Sequence, residues 1–177
     1  MHKPPDVAHA PAVPVVTAIL AVLAAIGSMV SNRTSSEALA VKNQAILIRT
    51  DASDAYNSFE AHEIREHIYE AASLENRTAG AGTRERLDLV AASEKGLAQP
   101  FLEKARRNEL QSRAASERSE GLAHAHDLYD AAIALVEIAI AIISISALAS
   151  SWYLVGLAGV SAVAGIVTFI VGASGSP

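Results

Sequence analysis

Apolar residues are concentrated in three long segments of the chain, at residues 12–30, 131–149 and 152–171. Each segment has close to the roughly 20 residues that an α-helix needs to cross the hydrocarbon core of a bilayer. Only Ser150 and Ser151 separate the second segment from the third, and so short a link forces an antiparallel helical hairpin. The pattern therefore predicts three transmembrane helices.

The first apolar segment is longer than the core of a secretory signal peptide, which favours a retained helix. The small residues from Ala24 to Ser28 are also compatible with cleavage. Residues 1–11 hold three of the six prolines and have no apolar period, so they are predicted to be a disordered tail.

Small residues recur at four-residue spacing in two of the predicted spans, at Ala21 with Ala25 and at Ser161 with Gly165. This spacing lets membrane helices approach closely. Small residues are also simply common in such helices, so both interpretations stay open.

Residues 31–130, between the first two predicted spans, have the charged character of long water-exposed helices. Residues 34–76 contain no proline or glycine, and Thr34 with Glu37 fits a capping box, which predicts a long helix that begins there. The glycines that follow predict a turn near residues 77–83.

The second helix of this region is predicted to begin near Arg84 and to be kinked or interrupted at Pro100. Its small and apolar residues alternate at intervals of four and three, at Phe101, Ala105, Asn108, Ser112, Ala115, Ser119, Leu122, His126, Tyr129, Ile133, Val136, Ile140, Ile143 and Ala147. The first helix has the same spacing at Val41, Ala45, Ile48, Ala52, Ala55 and Phe59. This seam predicts an antiparallel, coiled-coil-like hairpin. Because Ala and Ser bury little apolar area, we expect oligomerisation to stabilise it.

The expected fold is an all-α membrane protein, in which three transmembrane helices carry a long antiparallel helical hairpin, or stalk, between the first and the second. The predicted domains are a tail at 1–11, transmembrane helices at 12–30, 131–149 and 152–171, the stalk at 31–130 and a tail at 172–177.

The composition agrees with a membrane protein, since the 177 residues are 51% hydrophobic but only 5% aromatic. The formal net charge is -5, with acids and bases interspersed, which argues against a nucleic-acid partner. The chain contains no cysteine, which excludes disulfides, thiolate metal sites and thiol nucleophiles.

Glu137 is the one charged residue within the predicted spans. An acid at a helix centre costs about 2.5 to 3.5 kcal/mol on insertion scales, less near the ends, and usually faces other helices or water. By helix rise Glu137 lies about 10 Å into its span, at the depth of Ser28 and Thr168 in the other two. We expect it to flank the helix interface with one of these hydroxyls as its neighbour. Either a proton, ion or assembly role or a structural hydrogen bond would explain it.

No catalytic, cofactor or metal site is predicted. His62 and His67 are five residues apart and roughly 140° apart around a helix, so they diverge instead of sharing one zinc ion. We expect each to form a solvated pair one turn away, His62 with Glu66 and Glu63 with His67. No serine, histidine and acid set with a nucleophile setting and no phosphate-binding loop is recognisable, so the protein is not expected to be an enzyme.

Several stretches together resemble a known family: Asn43-Gln44-Ala45, Ala52-Ser53-Asp54, the helix from Phe59 to Glu70, His126-Asp127, Glu137 to Ala141, Ser144 to Leu148, and Trp152 to Leu157. The combination resembles an uncharacterised bacterial three-pass membrane-protein family catalogued as domain of unknown function four-three-three-seven. The resemblance implies one amino-terminal span, a helical middle and a terminal hairpin in a bacterial plasma membrane. It implies no activity.

The distribution of basic residues predicts the orientation of the stalk. Of the 14 Lys and Arg residues, Lys3 precedes the first span and the other thirteen lie between the first and second spans. The positive-inside rule then puts the stalk in the cytoplasm. The resembled family has a basic residue in the hairpin turn, where this chain has Ser150 and Ser151, and a basic turn in the relatives favours the opposite orientation.

The sequence thus predicts a non-enzymatic, self-associating integral membrane protein of the bacterial inner membrane, which acts as an assembly or partner-binding scaffold. The expected partners are the lipid bilayer and further copies of the chain. The alternative is a small oligomeric ion or proton channel that uses Glu137.

Overall fold

The computed structural model describes residues 12–75, 81–149 and 151–175, and all of these residues except Ser151 are helical. It contains α1 at Ala12–Glu75 with 64 residues, α2 at Ala81–Ala149 with 69 residues, and α3 at Trp152–Gly175 with 24 residues. Each helix includes a stretch with a mean hydropathy of 2.4 to 2.5, long and apolar enough to cross a membrane. The prediction of an all-α fold with three such segments is confirmed, and this composition indicates a membrane protein.

The helix boundaries correct two predictions. Because α1 is continuous from Ala12, no helix begins at the predicted capping box. The Thr34 hydroxyl instead donates to the Val30 carbonyl at 3.0 Å, as in a helix interior, and the Glu37 carboxylate accepts from Arg118 at 2.9 Å. Residues 76–80 lie outside the described residues, and they include the first four residues of the predicted turn at 77–83. The predicted tail at 1–11 also lies outside them.

Pro100 does not interrupt α2, which runs from Ala81 and not from Arg84. A proline within a helix lacks its own donor and its ring presses on the carbonyl four residues earlier. Here that carbonyl belongs to Gly96, around whose Cα there is open space, and glycine has the freedom to adjust. The next residue, Phe101, packs against the His62 ring of α1, so tertiary contacts hold the helix across the proline.

The chain divides into two compact units, and α1 and α2 contribute to both. The central unit is Val41–Glu117, and the terminal unit comprises the residues up to Ala40 together with those from Arg118 onwards.

In the central unit α1 and α2 are antiparallel, with Ala45 opposite Ser112 and Ser73 opposite Asp88. Buried positions recur every seven residues, at Ala45, Ala52, Glu66 and Ser73 of α1 and at Ala91, Ala98, Ala105 and Ser112 of α2. Of the predicted seam, Ala45, Ala52, Ala55, Ala105 and Ser112 are buried here, with Ala105 0% exposed, and the other members are half-buried.

In the terminal unit α2 contacts both α1 and α3. The predicted seam residues Leu122, Tyr129, Val136 and Ile143 are buried, whereas Ala147 is exposed, so the last seam position is wrong. A second buried row that the seam did not include consists of Ala125, Ala132, Ala139 and Ser146. Because α2 packs against two helices in this unit, it buries a wider face than a two-helix seam requires.

The contact between α2 and α3 depends on small residues. A Cβ atom on Gly165 would lie 2.9 Å from the Ala132 carbonyl oxygen, and the Ser161 hydroxyl donates to the Leu135 carbonyl at 2.7 Å. The small pair Ser161 and Gly165 therefore lies at a helix interface. The other small pair, Ala21 and Ala25, is exposed in the single chain.

The Gly165→Ala substitution is expected to destabilise the protein by about 1 to 3 kcal/mol, because the new methyl group would overpack against backbone. Gly159→Ala is the matched control on the same helix, since a Cβ there meets nothing within 4 Å. Unfolding in detergent micelles, followed by circular dichroism during titration with a denaturing detergent, measures the difference. Equal stability of the two variants would contradict the close contact.

Candidate functional site

The three residues predicted as an intramembrane site do not come together in the structure. Glu137 is exposed on α2, and within the described chain it forms no hydrogen bond or ion pair. Ser28 accepts a hydrogen bond from Asn32 at 3.5 Å, and Thr168 donates to the carbonyl of Ala164 at 2.9 Å. The expected hydrogen bond from Glu137 to Ser28 or Thr168 is therefore absent from the described residues.

The position of Glu137 follows from the two-sided packing of α2. Val136 and Ala139 face the neighbouring helices and are buried in the core with Leu20. Glu137 is about 100° further round the helix than Val136, at the edge of the face that contacts the neighbouring helices. It lies on the outer side of the terminal unit, where the single chain supplies no partner.

The histidines of the central unit contact residues other than those predicted. The His62 Nδ1 atom is 2.6 Å from the Glu94 carboxylate of α2, and the His62 ring stacks on Phe101 with 5.4 Å between centroids. His67 pairs with Glu70 at 3.2 Å. The predicted pairs of His62 with Glu66 and of Glu63 with His67 are thus wrong, because His62 reaches across the hairpin. No group of residues in the described chain has the arrangement of a metal site.

Polar pairs join α1 and α2 beyond His62. Glu66 is only 7% exposed, and its carboxylate accepts from Lys95 at 3.1 Å. This hydrogen bond raises the pKa of Lys95, which keeps the ammonium group charged. Ser73 donates to Asp88 at 2.6 Å. Glu66 and Ser73 are buried while Lys95 and Asp88 are exposed, so each pair satisfies a buried polar group of α1 from α2 and favours this alignment of the two helices.

A polar cluster in the terminal unit was not predicted: Ser31 of α1 with His126 and Asp130 of α2. Ser31 is 2% exposed, and its Oγ atom lies 2.7 Å from His126 Nδ1 and donates to Asp130 Oδ1 at 2.5 Å. The second carboxylate oxygen of Asp130 is 3.6 Å from His126 Nε2. The cluster lies at the predicted ends of the first and second spans.

The residue types of this cluster are those of a hydrolase triad, but the geometry is different. In a triad the imidazole accepts the serine hydrogen and the carboxylate contacts the other ring nitrogen. Here the one hydroxyl hydrogen of Ser31 is donated to Asp130, so the Nδ1 atom of His126 is the donor to Ser31. In this arrangement Ser31 donates to the carboxylate directly, and its buried hydroxyl is enclosed between helices.

The cluster instead joins α1 to α2 just outside the apolar segments at residues 12–30 and 131–149. On the adjacent turn of α2, Tyr129 contacts Phe169 of α3 with 4.9 Å between ring centroids. A Cβ on Gly172 of α3 would lie 3.0 Å from the Tyr129 ring. Polar and aromatic contacts thus hold all three helices together at this level of the terminal unit.

Part of this cluster could have been found from the sequence. His126 and Asp130 are four residues apart and so share one face of a helix, and Ser31 lies one heptad before the buried Ala38. What the sequence does not contain is the alignment of α1 with α2, which puts Ser31 opposite residues 95 and 99 positions away.

The Ser31→Ala substitution is expected to destabilise the terminal unit by about 1 to 3 kcal/mol, since His126 and Asp130 each lose a buried partner. Ser36→Ala is the control, because Ser36 is exposed and its hydroxyl donates only to Asn32 of its own helix at 2.9 Å. The free energy of unfolding in micelles is the measurement. If both variants keep the parent stability, the cluster does not hold the helices together.

The comparisons with known proteins agree with the family resemblance. The family model of a domain of unknown function, DUF4337, matches residues 9–175, which include all three helices. No curated protein and no solved structure matches the chain. Because the match spans nearly the whole sequence, the protein belongs to the DUF4337 family.

Proposed function

We propose that the protein is a non-enzymatic, self-associating integral membrane protein, whose three apolar helix segments lie in the bilayer and whose central unit is a coiled-coil-like scaffold for assembly or partner binding. We infer a bacterial inner-membrane location from the family resemblance. We infer a cytoplasmic central unit from the positive-inside rule.

The observation that carries this proposal is the reversal of side-chain size between the inside and the outside of the central unit. The interior consists largely of alanine. Most of the large aliphatic side chains are exposed, at Ile46, Leu47, Ile64, Ile68 and Leu74 of α1 and at Leu89, Leu97 and Leu110 of α2. A water-exposed hairpin that keeps alanine inside and leucine outside gains apolar burial by binding another protein surface.

The exposed aliphatic residues of α1 have helical order. Ile64 and Ile68 are one turn apart, and Leu47 lies three heptads before Ile68, on the same side of a helix with a seven-residue repeat. Leu47 is 67% exposed. An apolar row on the outer side of a two-helix hairpin is the pattern expected where a third helix packs, and a further copy of the chain supplies one.

Self-association predicts that the double substitution Ile64→Ser and Ile68→Ser shifts the protein toward the monomer by tenfold or more in dissociation constant, about 1.4 kcal/mol or more. Light scattering in mild detergent measures the mass of the protein. Lys42→Ser is the control, an exposed position about 140° around α1 from Leu47. A parent protein that is strictly monomeric at micromolar concentration would refute self-association.

A small oligomeric ion or proton channel is the second candidate, and the exposed carboxyl of Glu137 favours it. Asp130 and Ser144 lie seven residues to either side of Glu137, so oxygen-bearing side chains repeat along one line of α2. Against this candidate, the Ser144 hydroxyl already donates to the Ile140 carbonyl of its own helix at 2.7 Å.

The channel candidate predicts that reconstituted liposomes conduct protons or ions and that Glu137→Gln abolishes this flux without changing assembly. Glu120→Gln is the control, an exposed acid outside the apolar segment. Flux no greater than in empty vesicles, between mildly acidic and mildly basic pH, eliminates the channel.

A further inference from the structure

We infer that the outer face of α2 around Glu137 is a contact between two copies of this chain within the bilayer. This α2 outer face consists of Ala134, Glu137, Ala141 and Ser144, spaced three or four residues apart and all exposed in the single chain. The inference rests on the proposed function, because it locates within the membrane the self-association proposed above.

The first argument is the carboxyl group itself. Glu137 is the only charged side chain in the three predicted spans, and it has no partner in the described chain. A carboxyl that faces hydrocarbon without a hydrogen-bond partner is unfavourable, and such groups usually lie within a helix bundle. Val136 and Ala139 make the core contacts of α2, and Ile133 and Ile140, one turn before and after Glu137, also pack toward the neighbouring helices, so Glu137 lies at the edge of these contacts. The missing partner therefore comes from outside the chain.

The second argument is the shape of the surface beside the carboxyl. Ala134 lies three residues before Glu137 and Ala141 four residues after it. The small side chain of alanine therefore lies next to Glu137 on the preceding turn and on the following turn of α2. Small residues of this kind let two membrane helices approach closely enough for a polar side chain to reach across. The neighbouring exposed row differs, since Ile138 and Ile145 are 50% and 55% exposed and present bulky side chains to lipid.

The third argument identifies the partner as a second copy. Copies with the same orientation in the bilayer associate about an axis along the membrane normal, so residues at equal depth meet. Glu137 then meets Glu137 of the second copy. A pair of carboxyls that shares one proton is self-complementary, because the protonated carboxyl donates and the other accepts. The three predicted spans contain no basic residue, so the partner of Glu137 in another copy is not a Lys or Arg of these spans.

Disulfide cross-linking between copies tests this inference. Because the chain contains no cysteine, any disulfide must form at the one cysteine that is introduced. Ala134→Cys and Ala141→Cys lie on the α2 outer face, and Ile138→Cys and Ile145→Cys are matched controls on the neighbouring exposed row. The full-length variants are oxidised in native membranes, and the disulfide-linked dimer is measured. We expect the first pair to cross-link several-fold more strongly than the second. Equal cross-linking of all four, or stronger cross-linking at the isoleucine positions, overturns the inference.

Substitution of Glu137 in the Ala141→Cys background tests the role of the carboxyl. Glu137→Gln keeps a donor and an acceptor and should retain the dimer, whereas Glu137→Leu should weaken association by roughly 3- to 30-fold. Full cross-linking in the Leu variant means that the carboxyl does not make the contact. If the parent is oligomeric by light scattering but the α2 outer face does not cross-link, this inference fails while the proposed function stands. A monomeric parent refutes both.

Discussion

The structure depends on how closely the backbones of α1 and α2 approach each other. Most of the buried residues that face each other are alanine or serine, and hydroxyl groups of α2 reach the α1 backbone directly. Ser112 donates to the carbonyl of Ala45 at 2.9 Å, and Ser119 donates to that of Ala38 at 3.0 Å. A leucine at these positions would hold the helices apart and remove both hydrogen bonds. The alanine at Ala105, which is fully buried, belongs to the same seven-residue repeat as Ser112.

This close approach has an energetic cost, because alanine buries much less apolar surface than leucine. Polar contacts help to determine how α1 and α2 are aligned along their length. The pairs of His62 with Glu94 and of Glu66 with Lys95 lie between the helices of the central unit, and the Ser31 cluster lies between those of the terminal unit. Polar pairs contribute little net stability but penalise misalignment, because a shifted helix leaves buried charges without partners. The large aliphatic side chains remain outside, which connects the internal packing to the proposed assembly.

Periodicity predicted much of this fold, because burial in long helices follows local spacing. It predicted the buried seam residues Ala45 and Val136, for example, but it did not predict the second buried row that includes Ala139. Whether a small residue such as Ala139 is buried depends on a third helix, and its own residue type does not determine this. The Ser31 cluster was missed for a related reason, since local patterns do not align helices that are distant in sequence. Counting residues predicts a depth for Glu137 in its span, but the direction of its side chain depends on packing.

The antiparallel arrangement has a consequence for the synthesis of the protein. Contacts between α1 and α2 span 15 residues at Ser73 and Asp88 but 95 at Ser31 and His126. A ribosome that adds about 5 to 20 residues per second therefore needs roughly 5 to 20 seconds between Ser31 and His126. Short loops also close at lower entropic cost than long ones, so pairing begins near the turn and reaches Ser31 last. During that interval the small-residue face of the nascent α1 has no α2 to cover it, and the newly made chain is open to chaperones, to proteases and to neighbouring nascent chains on the same message.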